Sequence, residues 1–202
     1  MTDVRHAFSE ATAGFVDGVL SVPDDAWSTP GLGVWTVRDL VGHTSRAFST
    51  IESYLGNSPA GATLVTSPVE YYRLALGGAT QAFHDAIAER GRQSAEELGD
   101  DIVSGVRALT DRVLDLVERT PDDAICGSAA GAMRLIDYLP TRVVELTVHC
   151  IDLTDALDRP PTVRPSAVAL TASIMSQVAD PLMLIRSLGG RGTFPEGYNV
   201  FG

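Results

Sequence analysis

Cysteine is scarce in this 202-residue chain, which carries only Cys126 and Cys150. Two thiols cannot build a disulfide framework, and these two show no metal-type pairing. Such usage points to a reducing compartment. Basic charge is also short, with 15 Lys and Arg against 26 Asp and Glu and a formal net charge of -11. No basic patch can dominate that surface, so nucleic acid is excluded as a partner and the acidity is read as a solubility feature. Long apolar runs are missing. Nothing approaches the roughly 18 residues of a membrane span. The opening "MTDVRHAFSEATAGF" lacks the continuous apolar segment of a signal peptide. These absences predict a cytoplasmic protein with no membrane partner. Repeats, low-complexity tracts and a series of alternating strands are absent too.

What is present is helical periodicity on an ordinary globular composition, 45% hydrophobic and 20% charged. Val4, Phe8, Ala11, Phe15 and Val19 predict a first helix to Leu20. Thr36 and Asp39 form a capping signature for a second, whose apolar side runs through Val37, Val41, Phe48, Ile51 and Leu55. "SPVE" at residues 67–70 caps a third, and the Gly77-Gly78 pair should break or bend it. "ATQAFHDAIAERGRQSAEEL" is helical again. Ile102, Val106, Leu109, Val113 and Leu116 give the cleanest stripe in the chain. "PDDAICGSAAGAM" reads as irregular, with room for one short extended piece. A strong helix follows over residues 136–157. Pro140 is expected in its first turn, because an interior proline costs about 3 kcal/mol. "DRPPTVRPS" is a rigid linker, "SAVALTASIMSQVA" a last helix, and "LGGRGTFPEGYNVFG" a tail. This is an all-α bundle of four long helices with one more added.

The strong helix carries an anomaly. At about 100° per residue, Tyr138, Arg142, Glu145, His149 and Asp152 share a stripe roughly 80° wide. Leu139, Leu146, Leu153 and Leu157 lie on one side of it, and Val144, Val148 and Ile151 on the other. A solvated face would oppose a single apolar arc. A polar line between two arcs lies where other helices pack, so its charges must be paired, ligated or open to a cavity. One reading is a salt-bridge network, Arg142 with Glu145 or Asp152. The other is a metal site, because Glu145 and His149 sit on adjacent turns and face the same way. His43, at the edge of the second helix's apolar arc, could supply a third ligand, with Asp39 one turn earlier holding its other nitrogen. His6 and His84 fall in polar stretches and are expected at the surface, with His84 kept as a further possible ligand. Arg191 is an exposed tail residue that could reach an anion. Cys150 points about 100° away from His149, so neither cysteine reads as a nucleophile.

Two segments carry a family resemblance. "WTVRDLVGH" (Trp35–His43) fits W-[ST]-x-x-D-L-x-x-H, and "RVVELTVHCIDL" (Arg142–Leu153) fits R-x-x-E-x-x-x-H-x-x-D-L. In this order they resemble the mycothiol-dependent maleylpyruvate isomerase family of the DinB-like superfamily. The resemblance implies a DinB-like four-helix bundle over residues 1–158, with residues 159–202 forming a linker, an additional C-terminal helix and a short tail packed on it. It implies a divalent metal, usually zinc, on His43, Glu145 and His149, with Asp39, Arg142 and Asp152 as outer supports. It further implies a small-molecule thiol, mycothiol, held at the open position of the ion to attack an electrophilic substrate. The isomerase proper carries a larger C-terminal domain that helps shape its substrate site, so the resemblance speaks for the metal and thiol chemistry more than for the maleylpyruvate reaction itself. The expected activity is that of a thiol-dependent transferase or isomerase. The alternatives are a metal-dependent hydrolase and a non-enzymatic binding module, and a homodimer stays open.

Overall fold

The computed structural model of the chain describes residues 3–57, 61–76 and 80–201; the side chains of residues 76, 81, 83 and 84 also fall outside the description. The elements run α1 (Val4–Leu20), α2 (Val37–Tyr54), α3 (Pro68–Leu76), α4 (Gln81–Glu97), α5 (Ile102–Arg119), β1 (Ile125–Ser128), β2 (Gly131–Arg134), α6 (Leu135–Ala156), α7 (Pro165–Val178) and α8 (Pro181–Leu188). The protein is an all-α bundle of the DinB-like kind with one small hairpin. No described helix is long and apolar enough to cross a membrane.

Side chains start most of the helices. Asp3 accepts from the Arg5 and His6 amides, and Asp101 accepts from Ser104. At α2 the capping box is complete: the Thr36 hydroxyl takes the Asp39 amide, and the Asp39 carboxylate takes the Thr36 amide. Each cap satisfies amides that have no partner inside their own helix.

Four helices close a ring, α1 against α6, α6 against α2, α2 against α5 and α5 against α1. Its centre is filled by Phe8, Phe15 and Phe48, whose rings lie 6.0 Å apart in two tilted pairs. Leu40, Ile51, Val113, Leu139 and Leu146 pack around them, fully buried. Each such side chain contributes about 1.5–3 kcal/mol of transfer free energy. Outside the ring, α4 lies along α2, α7 lies on α6, α1 and α3, and α8 touches α7.

The structure departs from the sequence expectations in three places. The segment expected to hold one extended piece is an antiparallel hairpin, Ile125 opposite Arg134 and Ser128 opposite Gly131. Its strands are short, and its partners are remote: the Val65 amide donates to the Ala132 carbonyl at 2.8 Å and the Gly56 amide to the Ile125 carbonyl at 3.0 Å. Pro140 is the sixth residue of α6 and lies inside the helix. The helix begins one residue early because the Leu135 and Ile136 amides donate back to the Ala124 and Asp122 carbonyls. A second short helix, α8, occupies the start of what reads as tail; Asp180 caps it and Pro181 opens it. The expected break at Gly77-Gly78 lies outside the described residues.

One close approach positions the site. At Gly42 a side-chain carbon would lie 2.5 Å from the Ala95 nitrogen and 2.6 Å from the Gly91 carbonyl oxygen. The backbones of α2 and α4 therefore meet directly beside His43. Gly42→Ala should force the two helices apart and destabilise the fold by about 1–3 kcal/mol. Urea denaturation checks this, and an unchanged midpoint would contradict the close crossing.

Candidate functional site

The polar line on α6 faces inward, toward α2, α3 and the chain's end. Glu145 and His149, one turn apart, bring Oε2 and Nε2 to 3.7 Å. His149 Nδ1 lies 2.9 Å from the Asp152 carboxylate, one turn further on. That contact orients the ring, with Nδ1 toward Asp152 and Nε2 toward Glu145. The Tyr72 hydroxyl, from α3, lies 3.3 Å from Glu145 Oε1 and 3.0 Å from the Thr141 carbonyl. Burial pushes the Tyr72 hydroxyl well above its ordinary pKa of 10, so it remains a neutral donor to these acceptors.

His43 reaches the same point from α2. Its ring meets that of His149 edge to face, with centroids 4.8 Å apart at 85°. Trp35 stacks on the other side at 4.3 Å, and its indole N–H donates to the Ala88 carbonyl at 3.1 Å. Gly91 of α4 allows this layer, since a side-chain carbon there would lie 3.1 Å from the Trp35 indole nitrogen and 3.2 Å from the His43 Cβ. Burial, with help from the neighbouring His149, holds the His43 imidazole down at a pKa of about 2. It is a neutral imidazole with lone-pair capacity, as ligation requires. Yet its Nδ1 is buried without a hydrogen-bond partner.

These residues fit a divalent ion. His43, Glu145 and His149 each offer one ligand atom within 4.8 Å of the others, and they form the one such cluster among the described residues. Ligands bonded at 2.0–2.2 Å in tetrahedral array lie about 3.4 Å apart, close to the 3.7 Å between His149 and Glu145. Two imidazoles and one carboxylate are a donor set suited to zinc with an open position. The cluster borders a cavity of about 640 Å³ walled by Trp35, Ile87, Val144, Val148 and Phe201.

The outer residues divide. The Asp152 carboxylate lies 2.9 Å from His149 Nδ1. Asp39 does not support His43, because both of its hydrogen bonds go to Thr36 in the capping box. Arg142 pairs with neither Glu145 nor Asp152; its Nε donates to the Thr141 hydroxyl and one Nη to the Tyr71 hydroxyl. Of the salt-bridge row read as an alternative, the Arg142 arms are not formed, while His149 lies between Glu145 and Asp152. His6 is at the surface near Glu10. Arg191 is exposed and does not line the cavity. The His84 side chain lies outside the described residues. Burial raises both thiols, Cys126 to about 11, so neither presents a thiolate.

Sequence reasoning missed Tyr72, Trp35 and Phe201 as parts of the site. Trp35 carried a signal in its fixed place eight residues before His43. Tyr72 and Phe201 carried none, because only the packing of α3 and the tail on α6 brings them in.

Two substitutions separate the roles. Asp152→Asn should weaken zinc binding about 10–100-fold by removing the carboxylate behind His149. Asp39→Ala should cost about 1 kcal/mol of stability and leave zinc affinity unchanged. Zinc titration by calorimetry alongside thermal melts reads both.

The family described as mycothiol maleylpyruvate isomerase N-terminal domain matches residues 6–154. No curated protein and no solved structure matches the chain. The matched span runs from α1 almost to the end of α6 and contains all three clustered residues. With most of its length covered, the chain belongs to the mycothiol maleylpyruvate isomerase N-terminal domain family.

Proposed function

We propose that this protein is a thiol-dependent transferase or isomerase. It holds a divalent ion, zinc by its donor set, on His43, Glu145 and His149, and it uses a low-molecular-weight thiol, mycothiol, to attack a small electrophile in the cavity. The observation that carries this reading is the convergence of three ligand atoms from two helices within 4.8 Å. Family membership supplies the thiol.

A divalent ion bound there supplies Lewis acidity, which lowers a thiol's pKa and favours the nucleophilic thiolate. The chain's own residues do the rest. Asp152 keeps the His149 proton on Nδ1 and its lone pair inward. Tyr72 holds one oxygen of Glu145, leaving the other free to ligate. Trp35 packs the His43 ring flat against α2. Ile87, Val144 and Val148 present apolar walls that limit water around the reacting atoms. In this arrangement residues 1–158 hold the ion. The segment 159–202 contributes Asn199 and Phe201 to the cavity wall.

A hydrolase would need a free carboxylate to take a proton from water. Among the described residues, the carboxylates lining the cavity are Glu145 and Asp152, and in this reading one is a ligand and the other faces His149. That favours a thiol over water as the nucleophile.

The test is zinc content and thermal stability of the purified chain. It should bind one equivalent of zinc and lose it in His149→Ala. Mycothiol at about 100 times its dissociation constant should stabilise the zinc form by about 2.7 kcal/mol and leave the zinc-free form unmoved. Absence of stoichiometric zinc after supplementation, or equal stabilisation of both forms, would contradict the proposal.

A further inference from the structure

Arg142 brings to this cavity a charge that forms no ion pair among the described residues, although the nearby Glu145 carboxylate favours it through space. The residue is 6% exposed and lines the cavity. All its contacts are neutral: the Thr141 hydroxyl at 3.0 Å, the Tyr71 hydroxyl at 3.1 Å, and the rings of Tyr138 and Tyr71 at 4.8 and 5.7 Å from the guanidinium carbon. Burial raises the Tyr71 and Tyr138 hydroxyls above their ordinary 10, so neither supplies an anion. Among the described residues, no carboxylate lies within 4.0 Å of Arg142. Arginine cannot escape by losing its proton, and a buried charge without a counter-ion is strongly unfavourable. The tyrosines nonetheless hold the guanidinium in one place. The second Nη makes no hydrogen bond among the described residues, and Arg142 lines the cavity.

The other charges of the cavity point the same way. Arg142 is the one arginine or lysine lining it among the described residues, so the protein offers a ligand one fixed positive charge. Much of the remaining wall is apolar, through Trp35, Ile87, Val144, Val148 and Phe201, and its other polar side chains, Tyr71, Tyr72 and Asn199, are neutral. A second carboxylate on the ligand would meet no second cationic side chain there.

We propose that Arg142 is the anion-binding residue of this cavity and that its ligand is a monocarboxylate with an apolar body. The inference rests on the cavity being the substrate site proposed above, and it names the substrate class for that site. Arg142 binds the carboxylate and thereby sets where the electrophilic part of the ligand lies relative to His43, Glu145 and His149.

The test uses benzoate and its neutral counterpart benzamide as probes, titrated by calorimetry into the full chain with and without zinc. Benzoate should bind at least about tenfold more tightly than benzamide, the scale of a charge-assisted hydrogen bond. In Arg142→Met the ratio should fall to near one while zinc stoichiometry is unchanged. A preference that survives in Arg142→Met, or that disappears on zinc removal with Arg142 intact, places the carboxylate on the ion and overturns the proposal. So does equal binding, or no binding, of both probes. Should the chain bind no zinc, the function proposed above fails, and the benzoate-to-benzamide ratio of the zinc-free chain still decides the role of Arg142. If Arg142→Met does not fold, a crystal structure of the unaltered chain with benzoate replaces it. A carboxylate oxygen within about 3.2 Å of an Arg142 Nη supports the proposal, and benzoate seated elsewhere overturns it.

Discussion

The edge-to-face meeting of His43 and His149, with ring centres 4.8 Å apart, is the contact on which the rest of the site depends. It places two imidazoles and a carboxylate in a partly dry space between α2 and α6, with one ring nitrogen buried and unbonded. Buried polar atoms without partners are uncommon and costly. Under the proposed function, a divalent cation would take the lone pairs that these three residues bring together.

Much of the surrounding architecture keeps that contact in register. The ring of α1, α6, α2 and α5 brings the helices that carry His43 and His149 side by side. The glycines at positions 42 and 91 let α4 press onto α2 until Trp35 is clamped over His43. On the other side, α3 sends Tyr71 and Tyr72 toward Arg142 and Glu145, and Phe201 packs on Tyr72 with ring centroids 4.5 Å apart. The site is thus held by rigid helices on two sides and by aromatic packing on the third. This is the kind of support that keeps ligands in place before an ion arrives.

Local signals in the sequence carried the helices and the facing of Glu145 and His149 toward one point. The spacing of Glu145 and His149 and the two apolar arcs around them showed that the polar line must meet other helices, and Thr36 and Asp39 marked the start of α2 through their own hydrogen bonds. What stayed hidden was set by distant contacts. Asp39 had two competing uses, cap and histidine support, and its closeness to the Thr36 amide decided for the cap. Arg142 shares a helical stripe with two carboxylates, yet Tyr71 of α3 draws its guanidinium away. Pro140 is carried inside α6 because residues 122 and 124 take the first two amides of that helix. The hairpin is pinned by residues 56, 63 and 65, more than 60 positions earlier, and no local pattern announces such a pairing.

The central claim is that His43, Glu145 and His149 form a nitrogen- and oxygen-ligated metal centre whose open position takes a thiol. X-ray absorption at the zinc edge of the zinc-loaded protein tests it directly. Without thiol, the spectrum should contain imidazole and oxygen scatterers and no sulfur, since Cys126 and Cys150 are not in the cluster. On adding mycothiol, one sulfur should enter the shell at about 2.3 Å. A sulfur shell before thiol is added, or a spectrum that thiol leaves unchanged, would contradict the account.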